Sequence, residues 1–372
     1  MRIGWRLGVF ILASLLLLAI ALAPTVIAAG PTMQVVASGL DNPRGLALQG
    51  SATLYVAEAG RGGSGNCATG PEGTACFGTS GALTQVDLAR NMQTRVVTGL
   101  PSVADPDGSN AIGSVGVSLL NPNDVDIIIG YGGNPANRVS TFGPQAEHLG
   151  WLMHGAIGRG FRYTTDVSAY EGTANPDGGE VDTDPYAVLR LFGKSIVADA
   201  GGNDLLQVQD GKITTLAVFP DRMVDAPPFM NMPPGAQIPM QAVPTSVVAG
   251  PDGAYYVGQL TGFPFPVGAA NVYRVPANGG APTVYAGGFT NIISIAFGKD
   301  GSLYVLEIAK NGLTSGNPTG ALIKVAPDGT KTEIASDGLV SPGGLVIAPD
   351  GTFYVSNHGT AAGAGTVVHI MP

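Results

Sequence analysis

The segment from Ser341 to Asn357 has the sequence SPGGLVIAPDGTFYVSN. Two short runs of apolar and β-branched residues lie on either side of Asp350-Gly351, and an Asp-Gly pair in this setting predicts a tight β-hairpin. The pattern recurs at 42–58, 112–130, 185–199, 244–259 and 291–307. Six copies of one hairpin are typical of stacked four-stranded modules, so the sequence predicts an all-β fold, a six-bladed β-propeller.

Further strands are predicted between the copies. A second hairpin follows three of them, with turns at Asp210-Gly211, Asn278-Gly279 and Asp328-Gly329. The last copy is followed by a single strand, Gly365 to Ile370, and a single strand, Met33 to Gly39, precedes the first copy. In the simplest arrangement the N-terminal strand completes the last blade, which closes the ring and removes exposed strand edges. The predicted propeller covers residues 32–372.

The N-terminal residues 1–29 differ from the rest of the chain. Two arginines precede a run from Leu7 to Ala23 that is apolar except for Ser14, and small residues follow. This layout predicts a secretory signal peptide with cleavage after Ala28 or Ala29, hence a secreted or periplasmic protein. A retained segment would instead anchor the protein to a membrane, although about 17 apolar residues are short for a span.

The composition excludes some functions and favours others. The 372 residues include 56 Gly and 28 Pro, only 12% are charged, and the formal net charge is −9. Many short strands separated by Gly and Pro turns favour an all-β protein. The negative charge argues against nucleic acid or an anionic membrane surface as a partner.

The two cysteines, Cys67 and Cys76, lie in one glycine-rich loop, NCATGPEGTACFG. An even count in an exported chain predicts a disulfide. Two thiolates without a nearby histidine make a poor zinc site. Because the bridge closes a short loop, we expect it to fix the shape of that loop more than the stability of the whole fold.

Long insertions fall at equivalent places in the predicted blades. They lie between the second and third strands, at 60–80, 130–145, 260–270, 309–320 and 358–364, and a proline-rich link at 227–239 opens on the same face. Long loops on one face of a rigid scaffold favour a binding surface for a small molecule or an envelope partner. The alternative is that they are tolerated surface insertions.

One position follows the second strand of every blade. It is occupied by Glu58, Gly130, Asp199, Gln259, Glu307 and Asn357. We expect all six near the mouth of the central channel. Oxygens of Glu58, Asp199, Gln259, Glu307 and Asn357 that converge on one axis would suit a hard cation such as Ca²⁺. The alternative is structural, with each side chain capping a turn through backbone N–H groups.

Other polar candidates flank this position. The loop ADAGGNDLL places Asn203 and Asp204 close to Asp199 in the densest polar cluster of the chain. Arg44, at the entry to the first blade, is expected near Glu58, either as a structural ion pair or as a guanidinium offered to an anionic ligand.

The loop Phe263-Pro264-Phe265-Pro266, with Met230 and Met232, would form an apolar rim for a hydrophobic ligand, or would pack between loops. His358 is the one candidate for a general base. The sequence contains no G-x-S-x-G, no H-E-x-x-H and no phosphate loop, so nucleophilic catalysis and nucleotide binding have no support.

Several motifs are similar to those of the ScyD/ScyE family, which is named for members encoded with the enzymes that make the pigment scytonemin. They are NPRG at 42–45, the loop CATGPEG from Cys67, EHLG at 147–150, ADAGGNDLL at 198–206 and GQLTGFPFP at 258–266. The resemblance spans nearly the whole predicted mature chain and implies an exported, NHL-like propeller. We therefore expect a ligand- or partner-binding scaffold, with a divalent-metal-dependent hydrolase or lactonase as the alternative.

Overall fold

A computed structural model describes residues 30–70 and 73–372, and the predicted signal peptide lies outside these residues. The described strands, in chain order, are β1 (Thr32–Leu40), β2 (Pro43–Gln49), β3 (Thr53–Glu58), β4 (Cys67–Gly70), β5 (Gly73–Asp87), β6 (Met92–Ala104), β7 (Ser114–Asn121), β8 (Asp124–Ile129), β9 (Trp151–Ala156), β10 (Gly160–Asp166), β11 (Pro185–Leu191), β12 (Lys194–Asp199), β13 (Asp204–Gln209) and β14 (Lys212–Val218).

The remaining strands are β15 (Arg222–Asp225), β16 (Gln237–Met240), β17 (Pro244–Ala249), β18 (Tyr255–Gln259), β19 (Ala270–Val275), β20 (Thr283–Phe289), β21 (Ile292–Phe297), β22 (Leu303–Glu307), β23 (Ala321–Val325), β24 (Lys331–Ala335), β25 (Gly344–Ile347), β26 (Phe353–Asn357) and β27 (Gly365–Met371). Two short α-helices, α1 (Arg138–Phe142) and α2 (Val167–Ala174), lie in the insertions around blade 2. No helix of the described residues has the length and apolarity that a membrane crossing requires.

The strands form six antiparallel blades, which confirms the predicted six-bladed β-propeller. Blade 1 contains β2, β3, β5 and β6, with β4 added on β5; blade 2 contains β7–β10; blade 3, β11–β14; blade 4, β17–β20; blade 5, β21–β24; and blade 6, β25–β27 with β1. The innermost strands β2, β7, β11, β17, β21 and β25 are neighbours in that order, and β25 packs beside β2. They surround a central channel of about 370 Å³.

The two ends of the described chain meet in blade 6. β1 pairs antiparallel with β27, from Thr32 opposite Met371 to Leu40 opposite Gly365. At the neighbouring seam, the Ser356 hydroxyl donates a hydrogen bond of 2.7 Å to the carbonyl oxygen of Arg44 in blade 1. A Cβ on Gly344 would lie 2.6 Å from that same oxygen, so the close approach of the two inner strands requires glycine there.

The apolar residues form one cluster between each pair of adjacent blades. The cluster between blades 6 and 1 joins Leu40 and Tyr354 to Leu54 and Val56, and five others fill the remaining seams. Each blade therefore buries both faces, and this explains why its middle strands are nearly continuous apolar runs rather than alternating ones.

Blade 1 carries an arm beyond the propeller sheet. β5 and β6 are 15 and 13 residues long, and β4 pairs with the start of β5. Cys67 lies opposite Cys76 in that pairing, and the two form a disulfide, as predicted.

The proline-rich link between blades 3 and 4 differs from the expected loop. It contains the two-stranded ribbon β15–β16, in which Arg222 lies opposite Met240 and Asp225 opposite Gln237. The prolines occupy the turn and one edge of the ribbon, where a missing N–H is tolerated.

Truncating Leu40 tests how far the fold depends on the N-terminal strand. Leu40 is 1% exposed and Val35, on the same strand, is 55% exposed. Leu40→Ala should lower the free energy of unfolding by about 2–5 kcal/mol, because it leaves a cavity at the seam between blades 6 and 1. Val35→Ala should change it by less than about 0.5 kcal/mol. Urea unfolding of both variants measures the difference, and equal stabilities would contradict a structural role for β1.

The disulfide should be fully formed in the native protein and should act locally. Labelling of the native protein with a thiol reagent is expected to find no free cysteine. Since the bridge joins residues only nine apart, its reduction should alter the arm of blade 1 more than the melting temperature. A native protein that takes up label would contradict the pairing.

Candidate functional site

In five blades the predicted rim residue is the last residue of the second strand, at the loop-rich end, and its side chain is buried. Glu58, Asp199, Gln259, Glu307 and Asn357 are each 0–4% exposed. Each of these strands leads into an insertion on the same face, so the sequence placed these residues correctly along the blades. The hydrogen bonds that these side chains already make decide whether they are free to bind a ligand.

Four of these side chains bind the segment that leads into their own blade. Glu58 accepts the backbone N–H of Asp41, Glu307 that of Thr290 and Asn357 that of Val340, each at 2.7 Å. Asp199 accepts the backbone N–H of Asp184, also at 2.7 Å. These bonds tie the end of the second strand to the entry of the first, which satisfies backbone groups that would otherwise be buried without partners.

These hydrogen bonds favour the structural alternative at the rim over the shared calcium site predicted from the sequence. Gln259, the fifth residue, accepts hydrogen bonds of 3.2 Å from the Arg222 guanidinium and from the backbone N–H of Asn271. Across residues 30–70 and 73–372, no three His, Cys, Asp or Glu side chains are arranged to hold a metal ion. Four of the five side chains accept a backbone N–H at the entry to their own blade. The structural alternative therefore describes this position better.

Arg44 and Glu58 do not form the expected ion pair. Glu58 is bound instead by Arg95 of β6, with contacts of 2.6 and 3.0 Å, and Arg95 also bonds Asp41 at 2.8 Å. The carboxylates raise the pKa of Arg95, mainly through its hydrogen bond to Glu58. This partly buried pair links the second and outermost strands of blade 1, and sequence reasoning missed it.

Arg44 itself is buried at the seam between blades 1 and 2. One terminal nitrogen donates a 3.0 Å hydrogen bond to the carbonyl oxygen of Ala111, while Nε has no acceptor in the described part of the chain. The carboxylate that its charge influences is Asp184, at the entry to blade 3. The open Nε keeps an anionic ligand as a candidate for Arg44.

A buried acidic cluster occupies the loops of blade 3. Asn203 and Asp204, both 1% exposed, are joined there by Glu171 of helix α2, 2% exposed, which the sequence did not single out. Burial raises the pKa of Glu171 to about 7, and the charges of Asp199 and Asp177 add to the rise. Burial also raises the pKa of Asp204 well above its usual range.

The same causes act on two neighbouring carboxyls. Burial raises the pKa of Asp184 to about 7, opposed by a hydrogen bond from the backbone N–H of Tyr131. Burial raises the pKa of Asp199 to about 6, although hydrogen bonds from Thr183 and from backbone N–H groups stabilise its charged form. The high density of acids between 171 and 184, beside ADAGGNDLL, was the sequence signal that could have revealed this cluster.

An apolar patch, most of it exposed, lies on the loops of blades 4 and 5 and on the link that precedes blade 4. We define this apolar patch as Phe229, Phe263, Phe265, Val267 and Leu313. The ring centroids of Phe229 and Phe263 are 6.1 Å apart, and those of Phe263 and Phe265 are 6.3 Å apart. Met230 and Met232, which follow Phe229, are also exposed. The residues predicted as an apolar rim are thus close to one another.

His358 lies at the predicted position after β26, with its ring half-buried. Within the described residues its ring forms no hydrogen bond, ion pair or aromatic contact, and its backbone adopts φ 53°. A general base that activates a nucleophile is usually found by the hydrogen bond between them. Among the described residues, His358 has no such partner.

No protein-family model and no curated protein matches the chain. Solved structures do match. They include a glucose dehydrogenase (14% identity, TM-score 0.53, 92% of this chain and 99% of that chain), the PQQ-bound aldose sugar dehydrogenase from Streptomyces coelicolor (11%, 0.53, 92% and 98%) and a putative oxidoreductase (glucose dehydrogenase) from Thermus thermophilus (16%, 0.50, 92% and 100%). At these identities the likeness shows the propeller fold alone.

The buried carboxyl of Glu307 should make stability depend on pH. Burial raises the pKa of Glu307 to about 7, and the charge of Glu333 adds to the rise, while a backbone hydrogen bond and two lysines oppose it. The folded protein therefore holds this proton more tightly than the unfolded chain. The stabilisation is complete below about pH 4.5 and is lost as the pH rises through about 7, for a loss of roughly 3 kcal/mol at most.

Glu307→Gln should remove this part of the pH dependence, since an amide oxygen can still accept the N–H of Thr290. Unfolding in urea at pH 5 and pH 8 gives the measurement. Glu147→Gln, at an exposed glutamate, is the matched control and should keep the wild-type slope. An unchanged slope in Glu307→Gln would show that Glu307 is already ionised at pH 5.

Proposed function

We propose that this protein is an exported β-propeller of the ScyD/ScyE type that acts as a scaffold and binds an apolar, aromatic ligand or partner group through the apolar patch. The observation that carries the proposal is the exposure of aromatic side chains on the loop-rich face. Phe229 is 68% exposed, Val267 66% and Phe263 42%. Exposed apolar groups that adjoin one another mark binding surfaces more often than scattered ones do.

The patch draws on three separate parts of the chain. Phe229 comes from the link that carries β15 and β16, Phe263 and Val267 from the loop of blade 4, and Leu313 from the loop of blade 5. The last two loops touch, because a Cβ on Gly312 would lie 3.3 Å from a methyl group of Val267. Loops from adjacent blades thus support one surface on a rigid frame.

The chemistry of the patch favours rigid aromatic or apolar groups as ligands. Phenylalanine rings offer a large contact area with few rotatable bonds, and the neighbouring methionines adapt to irregular shapes. The patch residues carry no charge, so electrostatic attraction would contribute little to the choice of ligand at the patch. Arg44, Asn203 and Asp204 remain proposed polar contacts elsewhere on the rim.

Catalysis by a divalent-metal-dependent hydrolase or lactonase remains the weaker alternative. The rim carboxylates on which it depended are bound within their own blades, and His358 has no nucleophile beside it among the described residues. Export is supported by the predicted signal peptide and by the disulfide, which suits an oxidising compartment.

Binding of the apolar fluorescent probe anilinonaphthalene sulfonate to the mature protein tests the patch. The double variant Phe229→Ser, Phe263→Ser should lower probe affinity at least severalfold, because both rings leave the surface. Phe192, which is 94% exposed in the β11–β12 turn on the opposite face, supplies the matched control. Phe192→Ser should bind the probe as the wild type does.

Two results would count against the proposal. One is a double variant that binds the probe as tightly as the wild type. The other is a Phe192→Ser variant that loses as much affinity, since the effect would then reflect exposed rings in general rather than this patch.

A further inference from the structure

Three buried carboxylates lie close to one another where helix α2 meets the β12–β13 loop of blade 3. Asp199, at the end of β12, lies directly opposite Asp204, at the start of β13. Glu171 approaches from α2: a Cβ on Gly202 would lie 3.1 Å from Glu171 Oε2 and 3.5 Å from Asp199 Cγ. Helix and loop therefore bring these acids together, although Glu171 lies well before Asp199 in the chain.

Two of these carboxylates lack the partners that buried acids normally have. Glu171 Oε1 and Asp204 Oδ1 are fully buried and accept no hydrogen bond. Neither residue takes part in an ion pair of the described chain. Asp199 differs, because it accepts hydrogen bonds from the Thr183 hydroxyl and from the N–H groups of Asp184, Gly201 and Gly202.

An ionised carboxylate buried without a partner costs several kcal/mol, so buried charges are usually paired or bound to a metal. Protonation would remove the charge but would place a buried O–H group where it also needs an acceptor. A cation satisfies both orphaned oxygens at once. The further carboxylate of Asp199, which is buried and lies directly opposite Asp204, favours a cation of charge two over a monovalent one.

We propose that Glu171 and Asp204 are ligands of one divalent cation bound between α2 and the β12–β13 loop. Hard divalent cations accept oxygen ligands, and one or two carboxylates with water and main-chain carbonyls are sufficient for such a site. The acidic residues that the structure describes include no complete set of three metal ligands, so this site rests on two carboxylates. It adjoins the rim residue Asp199 and would fix the loop of blade 3.

Calcium binding to the chelator-stripped mature protein tests the site. Calorimetry at pH 7.5 should detect one Ca²⁺ per chain, and the melting temperature should rise with Ca²⁺ and reach a plateau. Glu171→Gln and Asp204→Asn should each weaken binding at least tenfold and abolish the rise.

Glu180→Gln is the matched control, since Glu180 carries the same charge in the same insertion but is exposed. It should bind Ca²⁺ as the wild type does. The proposal is overturned if the stripped wild type binds neither Ca²⁺ nor Mg²⁺ at millimolar concentrations, or if Glu180→Gln loses binding equally. The wild-type titration decides the question even if one variant fails to fold, and the probe assay of the apolar patch is independent of it.

Discussion

The hydrogen bond from a strand-end side chain to the backbone that enters the same blade is the interaction on which the loop-rich rim depends. It recurs with Glu58, Asp199, Glu307 and Asn357. At each place two chain segments leave the sheet side by side, and their N–H groups are buried. Blade 2 has Gly130 instead, and a Cβ there would lie 2.7 Å from an Asp184 oxygen, which accepts the N–H of Tyr131 across the seam. Asp184, at the entry to the neighbouring blade 3, thus places a carboxylate where Gly130 has no side chain.

This use of polar groups shapes what the protein can bind. Oxygens that accept backbone N–H groups are less available to a ligand at the channel mouth, and the two sites proposed above lie instead in the insertions. Two features stand out there, the apolar patch and the pair Glu171 and Asp204, and both lie on loops of blades 3 to 5 or on the links beside them. Under these proposals the propeller sheets supply rigidity, and the segments between them supply the binding groups.

The sequence predicted the fold well because its turns are local signals. Asp350-Gly351 and its counterparts define hairpins without information from the rest of the chain, and repetition then defines the blades. The position of Glu58 and Glu307 was predicted for the same reason. The partners of these residues were harder to predict from the sequence. Arg95 is 37 residues from Glu58 and reaches it only because β6 is the outer strand of the same blade.

The hairpin repeat does not predict where the residues of the insertions lie in the fold. Glu171 lies on an eight-residue helix whose buried residues are Val167, Ser168 and Glu171, a pattern too short to reveal an amphipathic face in sequence. Its approach to the β12–β13 loop depends on how α2 folds back over blade 3. The β15–β16 ribbon escaped prediction because proline argues against strands in general, whereas an isolated ribbon has two edges that tolerate it.

The pairing of Thr32 with Met371 has a consequence for the order of the polypeptide. Both residues lie at the same end of blade 6, away from the long insertions, so a short linker could join them. A circularly permuted gene opened at the exposed turn Phe192-Gly193 would then keep every blade whole except the third, whose first two strands would become the new ends. Such a protein would show that the arrangement of the blades, rather than the point at which translation starts, specifies this architecture.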